Sequence, residues 1–310
     1  MICNPKYMEY GQHLASISRL LTLTPLHMSI FCNRQRTEGE TNECALNESQ
    51  ILVARLLFDE EPTINDELIE KELHVLFQNF EAALTDELYE NSRQYFFHDY
   101  MVQYLDEQLP AQCSIFTSKT SCYINECLQT AYHQAGHWPE IRQETKNCRY
   151  ELILNDLMSK PLHYKQRVEL FQKFVCAVSR ALQPTAIYFP TSEKMVKPSA
   201  YLSEVLTDGK DWLYGLLNVR TYNMQEGGLL MDTVGLHGIG LPDFQLQFMD
   251  LNPNEVASYL HAYARYIYEQ GPVIKYGNTV EGIDPYTKWK CRLDTAFVNP
   301  PRNVIKILEP

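Results

Sequence analysis

Any chemistry in this chain must come from a few knots of titratable residues. The most glycine-dense stretch is Gly235-Leu236-His237-Gly238-Ile239-Gly240-Leu241-Pro242-Asp243, and Asp232 lies just ahead of it. Asp232, His237 and Asp243 form a candidate general acid–base set, or the lining of a small-molecule pocket. The segment is not a phosphate-binding loop, because no Gly-Lys-Ser/Thr ends it. It also fails the dinucleotide fingerprint, since Asp243 stands where a third glycine is required. Glycine supplies positive φ and close backbone approach, so a tight crossover between two strands accounts for the stretch equally well.

A second knot, His133-Gln134-Ala135-Gly136-His137, has the two-histidine spacing of a zinc-protease helix. Glutamine replaces the general-base glutamate, which removes water activation. Gly136 and Pro139 suggest that the helix ends here, which would spoil the i, i+4 geometry. The favoured reading has His137 and Trp138 packing at a helix terminus. Metal binding without catalysis by His133 and His137 would need a third ligand such as Cys127. The third knot is Phe97-His98-Asp99-Tyr100, where strand alternation sends His98 and Asp99 to opposite faces. With no Gly-x-Ser-x-Gly elbow and no convergent motif, no catalytic residue, metal or cofactor is assigned.

Charge is the more informative signal. The 310 residues carry 27 Lys or Arg and 39 Asp or Glu, a formal charge of −12, which argues against a nucleic-acid or membrane partner. Between Arg36 and Glu107 there are 18 acidic residues against 4 basic ones, a local balance of −14, so the rest of the chain is near neutral. A solvated helix face plus a polar loop explains this as plainly as function does. The functional reading is an acidic docking surface for a basic protein, centred on Asp59, Glu60, Glu61, Asp66, Glu67 and Glu70. Complementary charge of that kind speeds encounter and rejects wrong partners.

The elements that must position these residues follow from apolar periodicity. Ile51 to Phe58 is a near-continuous apolar run and predicts a strand buried on both faces. Asn65 caps a following helix with the stripe Ile69, Leu73, Leu76, Phe77 and Phe80. Strands are predicted around Tyr95 to Tyr104, Cys113 to Phe116 and Arg149 to Met158, with a helix over Ile124 to His133. That order suggests a ferredoxin-like βαββαβ unit in the N-terminal half. A long helix from about His163 to Leu182, apolar on two sides, is predicted to join the halves, with a strand from Thr185 to Phe189 after it. Leu213 to Tyr222 and Leu229 to Val234 read as strands around a turn at Gln225 to Gly228, followed by Phe244 to Phe248. Asn252, Pro253 and Glu255 open a helix that Gly271-Pro272 stops, and short strands near Thr279 and at Val304 to Leu308 close the sheet. The fold class expected is therefore α+β, two sheet-containing halves joined by a long helix. The boundaries read as 1–49 for an N-terminal segment and polar loop, 50–160 for the first half and 161–310 for the second. Nine cysteines, odd in number and without a C-x-x-C pair, fit free thiols in a reducing cytoplasm, and no signal peptide or spanning helix is legible.

The C-terminal part resembles a known bacterial family. Met231 to Asp243, Leu251-Asn252-Pro253-Asn254-Glu255-Val256-Ala257, Gly277-Asn278-Thr279-Val280-Glu281-Gly282 and Lys288-Trp289-Lys290-Cys291 resemble the family called domain of unknown function 4261. The likeness is specific over about residues 185–308 and looser back to Ile51, roughly the C-terminal two-thirds; residues 1–45 lie outside it. The family assigns no activity, so no site residue carries over. The resemblance implies a cytoplasmic bacterial protein whose relatives sit among type VI secretion and polymorphic-toxin genes. From that neighbourhood and the charge map together comes the expectation of a non-enzymatic immunity protein that occludes a basic toxin domain. The alternatives are an enzyme or small-molecule sensor using the 232–243 segment, and a secretion-locus chaperone or adaptor.

Overall fold

β1 (Val53–Phe58) is an interior strand of a seven-stranded sheet, with Ala54, Leu56 and Phe58 on one face and Leu57 buried on the other. A computed structural model describes residues 46–83, 92–104, 107–117, 128–207, 210–225, 227–284 and 286–309, all within a unit spanning Thr41–Pro310. Most of the predicted N-terminal segment and polar loop, residues 1–45, lies outside the described residues. Leu56 and Phe58 join the main core, whereas Leu57 joins a smaller cluster on the opposite face.

α1 (Asp66–Leu76) starts where expected, with the Asn65 side chain accepting from the Leu68 N–H and Ile69 and Leu73 buried. After it come β2 (Phe80–Ala82), β3 (Ser92–Tyr104) and β4 (Glu107–Thr117). Then follow two short helices, α2 (Gln129–His133) and α3 (Ile141–Glu144), then β5 (Tyr150–Asn155), α4 (Tyr164–Leu182), β6 (Ala186–Phe189) and β7 (Lys194–Val196). The order across the sheet is β2-β3-β4-β5-β1-β6-β7, with every neighbour antiparallel. The sequence of elements β1-α1-β3-β4-α4-β6 is a βαββαβ unit, but its members differ from those read in the sequence. The second helix is α4, the last strand is β6, and β5 is inserted between β4 and β1. Long-range pairing decides that insertion, and strand periodicity does not encode it.

α1 and α4 pack side by side on one face of this sheet, with Phe174 against Tyr95 and Phe97 at ring separations of 5.8 and 6.0 Å. The opposite face is covered by the α2–α3 segment through Leu128, Ala131, Tyr132, Trp138 and Ile141. α4 is buried on two sides for a reason visible in its contacts. Its far side meets the second sheet-containing part, where Gln172 donates to the carbonyls of Trp212 and Tyr214 and the Tyr164 hydroxyl donates to Tyr268 O. In chain order, however, α4 connects β5 to β6 of the same sheet. The passage to the second sheet runs through α5 (Pro198–Leu206).

The second sheet has six strands in the order β11-β12-β13-β10-β9-β8. They are β8 (Asn218–Asn223), β9 (Leu229–Val234), β10 (Asp243–Phe248), β11 (Thr279–Glu281), β12 (Lys288–Thr295) and β13 (Asn303–Leu308). Its helix, α6 (Pro253–Gln270), has the Asn252 cap, Pro253 in the first turn and Gly271 at the C-terminal end with φ 80°. Val256, Leu260, Ala264 and Ile267 face the sheet, and Tyr259 and Tyr263 contact Trp289 and Phe244. The result is an α+β protein with two sheet-containing parts. Leu213 to Leu217, read as strand, instead forms a turn packed over α4; only β8 from Asn218 onward joins the ladder.

Candidate functional site

The β8–β9 hairpin and the crossover to β10 bring the predicted acid–base residues together. Register places Arg220, Asp232 and Gln245 in one row across β8, β9 and β10. After β9 the chain turns at Gly235 (φ 134°) into one 3-10 turn, Leu236–Ile239, and leaves it at Gly240 with φ 85°. Asp243, the first residue of β10, holds this crossover with its carboxylate. It accepts from the N–H groups of Leu236 and His237, at 3.2 and 3.3 Å, and from Thr233 Oγ1 at 3.1 Å. His237 Nδ1 lies 2.8 Å from the same carboxylate.

Two arginines complete the cluster. Arg220 makes a bidentate pair with Asp232 at 3.0 and 2.6 Å, and its Nη1 donates to Glu193 and to Asn299 O. Arg302 bridges both carboxylates, reaching Asp243 through Nε at 3.1 Å and Asp232 through Nη2. It also donates to the carbonyls of Thr233, Pro300 and Val298. Every ion except Glu193 is buried: Asp232 and Asp243 have no exposed surface and the two arginines about 1%. Burial raises the Asp243 carboxyl, but His237 and Arg302 outweigh it and hold the group below the ordinary carboxylate range.

The His237–Asp243 pair has the geometry in which a carboxylate orients an imidazole. Neither the groove of about 540 Å³ near β13 nor the cleft of about 150 Å³ beside Trp138 is lined by Asp232, His237 or Asp243. The arrangement is a clasp, in which buried charges satisfy one another and pin the 296–302 loop across the sheet. It also sets an acid limit. A carboxyl whose folded-state pKa lies below its unfolded value stabilises the fold above the unfolded pKa and loses that contribution as pH falls through the folded one. Stability in urea is therefore expected to decline below the ordinary carboxylate range, and Asp243→Asn should flatten that decline. An unchanged acid limb in Asp243→Asn would assign the decline elsewhere.

The acidic residues divide into two groups. Asp59 accepts from Thr185 Oγ1 and the Cys148 thiol, and Asp66 pairs with Arg93 at 2.7 Å. Glu60, Glu61 and Glu67 are exposed and Glu70 is half-buried, and none has a basic partner within ion-pair distance among the described residues. The histidine motif ends its helix as expected. His133 is the last residue of α2, and His137 lies beyond it with Nε2 2.8 Å from Met195 O. Gln134, where a zinc protease has glutamate, instead clamps the edge of β8 by accepting from Thr221 N and donating to Thr221 O. No three His, Cys, Asp or Glu among the described residues are placed to hold a metal; Cys127 is outside them. His98 and Asp99 lie in a bulge of β3, where Asp99 accepts from Asn79 N.

Arg220, Arg302 and Glu193 were not singled out from sequence. Arg220 had a usable signal, because a hairpin turning at residues 225–228 puts residue 220 opposite 232. Arg302 lies 59 residues from Asp243 and had none.

The fold and clasp define an α+β protein of two sheet-containing parts, with its glycine-rich crossover locked by buried charge. Residues 232–308 match the family model described as "Domain of unknown function (DUF4261)", the C-terminal part of the chain where the resemblance was most specific. The match begins at Asp232 and contains His237, Asp243 and Arg302, whereas Arg220 and Glu193 precede it. No curated protein and no solved structure matches the chain. Among the described residues no helix is long and apolar enough to cross a membrane.

Proposed function

We propose that this protein is a non-enzymatic binding protein, an immunity protein that neutralises a secreted basic toxin domain in the cytoplasm by occluding it. The observation that carries the reading is the surface at the β1–α1 junction, where Glu60, Glu61, Glu67 and Glu70 make no ion pair among the described residues. A basic partner would neutralise them, and the free, buried thiols of Cys113, Cys148, Cys176 and Cys291 suit a reducing compartment. The enzyme or sensor alternative has less support, because Asp232, His237 and Asp243 are engaged with Arg220, Arg302 and one another. A chaperone or adaptor role would require affinity for several unrelated effectors.

The test is co-expression with the product of the adjacent gene, scored by one-to-one complex formation and by rescue of growth. Changing Glu60, Glu61, Glu67 and Glu70 to lysine leaves the internal bonds of Asp59 and Asp66 intact. That variant is expected to associate at least about tenfold more slowly at low salt, with the difference shrinking as salt rises. Association that is unchanged and insensitive to salt would sink the docking surface; absence of binding and rescue would sink the immunity reading.

A further inference from the structure

The open face of the second sheet carries the opposite charge to the β1–α1 junction. β12 alternates strictly at its start: Trp289 and Cys291 are buried toward α6, while Lys288, Lys290 and Arg292 point away and are exposed. On β13, Lys306 lies on this outer side and is the direct cross-strand neighbour of Arg292. The 296–302 loop covers the inner part of the same face, with Phe297 N donating to Gln245 Oε1 and Asn299 O accepting from Arg220. The loop leaves Lys288, Lys290 and Arg292 exposed, and Lys306 is half-buried.

Lys288 faces Glu281 directly across the β11–β12 ladder, but the other three cations are poorly neutralised. Among the described residues Lys288, Lys290 and Lys306 have no carboxylate within 4 Å, and Arg292 reaches only Asp294, at 3.9 Å. Like charges directly opposite each other on neighbouring strands are destabilising. The Arg292–Lys306 pair is therefore a standing cost to the free protein that an anion would remove. Lys306 also lines the groove of about 540 Å³, whose other walls include Met224, Leu229, Met249 and Leu308. Met249 is 67% exposed, the kind of flexible apolar surface that adapts to a partner side chain. Asp250 and Glu309 line the groove as well, so a ligand's carboxylates are confined to the Lys306–Arg292–Lys290 side.

We infer that this face and groove bind an acidic polypeptide segment whose carboxylates alternate with aliphatic side chains. Strand alternation in the partner would set carboxylates on the cationic row and aliphatic groups in the groove. A long nucleic acid fits less well, because an extended polyanion also meets the repulsion of a chain with formal charge −12, whereas a short segment meets chiefly the local patch. This surface is independent of the proposed acidic interface and involves a partner of opposite charge.

A short labelled peptide alternating glutamate and leucine is the probe, read by fluorescence anisotropy at low and at physiological salt on the full chain. Binding that weakens about tenfold or more in the Lys290→Glu, Arg292→Glu, Lys306→Glu triple variant, and weakens with salt, is the expected result. No binding at low salt, binding unaffected by the triple variant, or preference for single-stranded oligothymidylate would overturn the inference. Lys306→Gln alone supplies a ligand-free check: relief of repulsion should leave the melting temperature unchanged or raise it by about a degree or two. A clear fall would mean that Lys306 supports the fold and is not held in reserve for a partner.

Discussion

Arg302→Ala is expected to destabilise the protein by about 3–5 kcal/mol, measured as a lowered urea midpoint at unchanged slope. Arg302 is the shared counter-ion of two carboxylates that have no exposed surface, so its loss strands negative charge in a medium that solvates it poorly. It also removes donors to the carbonyls of Thr233, Val298 and Pro300, releasing the 296–302 loop from the sheet. Against a usual total stability of about 5–15 kcal/mol, that is a large fraction. Glu193→Ala is the appropriate comparison. Glu193 touches the same cluster through Arg220 but is 22% exposed, and water can replace its oxygen, so about 1 kcal/mol is expected. Equal costs for the two variants would show that the cluster is not the buried clasp its geometry implies.

That clasp shows which part of the molecule could be read in the sequence. Local signals survived: the Asn65 and Asn252 caps, the stripe of α6, and the turn between β8 and β9 all depend on residues within a few positions of one another. The gathering of Asp232, His237 and Asp243 was also legible, because glycine density marked a tight crossover that would draw them together. Their purpose was not, since it depends on Arg302, a residue brought in by the parallel pairing of β10 with β13. β12 was not among the predicted strands, although its Lys-Trp-Lys-Cys-Arg alternation is a strand pattern. The insertion of β5 and the three-residue strands β2 and β7 have no local encoding, because neighbouring strands supply most of what holds them. The sequence places the six acidic residues near one strand–helix junction but does not show which of them are engaged. Asp59 and Asp66 are engaged in internal bonds, which leaves the four glutamates as the available charges.

Gly235→Ala should be the most damaging single-methyl change in the crossover. At φ 134° and ψ −37° its backbone lies where side-chain-bearing residues rarely go, and a Cβ there would sit 1.9 Å from Leu216 O and 2.9 Å from its carbonyl carbon. Both obstacles are backbone, in the turn packed over α4, so no rotamer change relieves the clash. Relief requires moving either that turn or the crossover, and the latter carries the Asp243 bonds to Leu236 and His237. A loss of more than about 4 kcal/mol, or failure to accumulate as soluble protein, is expected. Gly240→Ala separates this steric effect from backbone conformation alone. Gly240 also has positive φ, 85°, but the nearest atom to an added Cβ is Asn47 O at 3.5 Å, an ordinary contact. Its cost should be about 1–2 kcal/mol, the usual penalty for a side chain in the left-handed region. If the two variants lose similar stability in urea, the glycines serve turn conformation only, and the close approach of the crossover to Leu216 is not what requires Gly235. If Gly235→Ala is much the worse, the glycine at 235 is explained by the close packing of the crossover against Leu216.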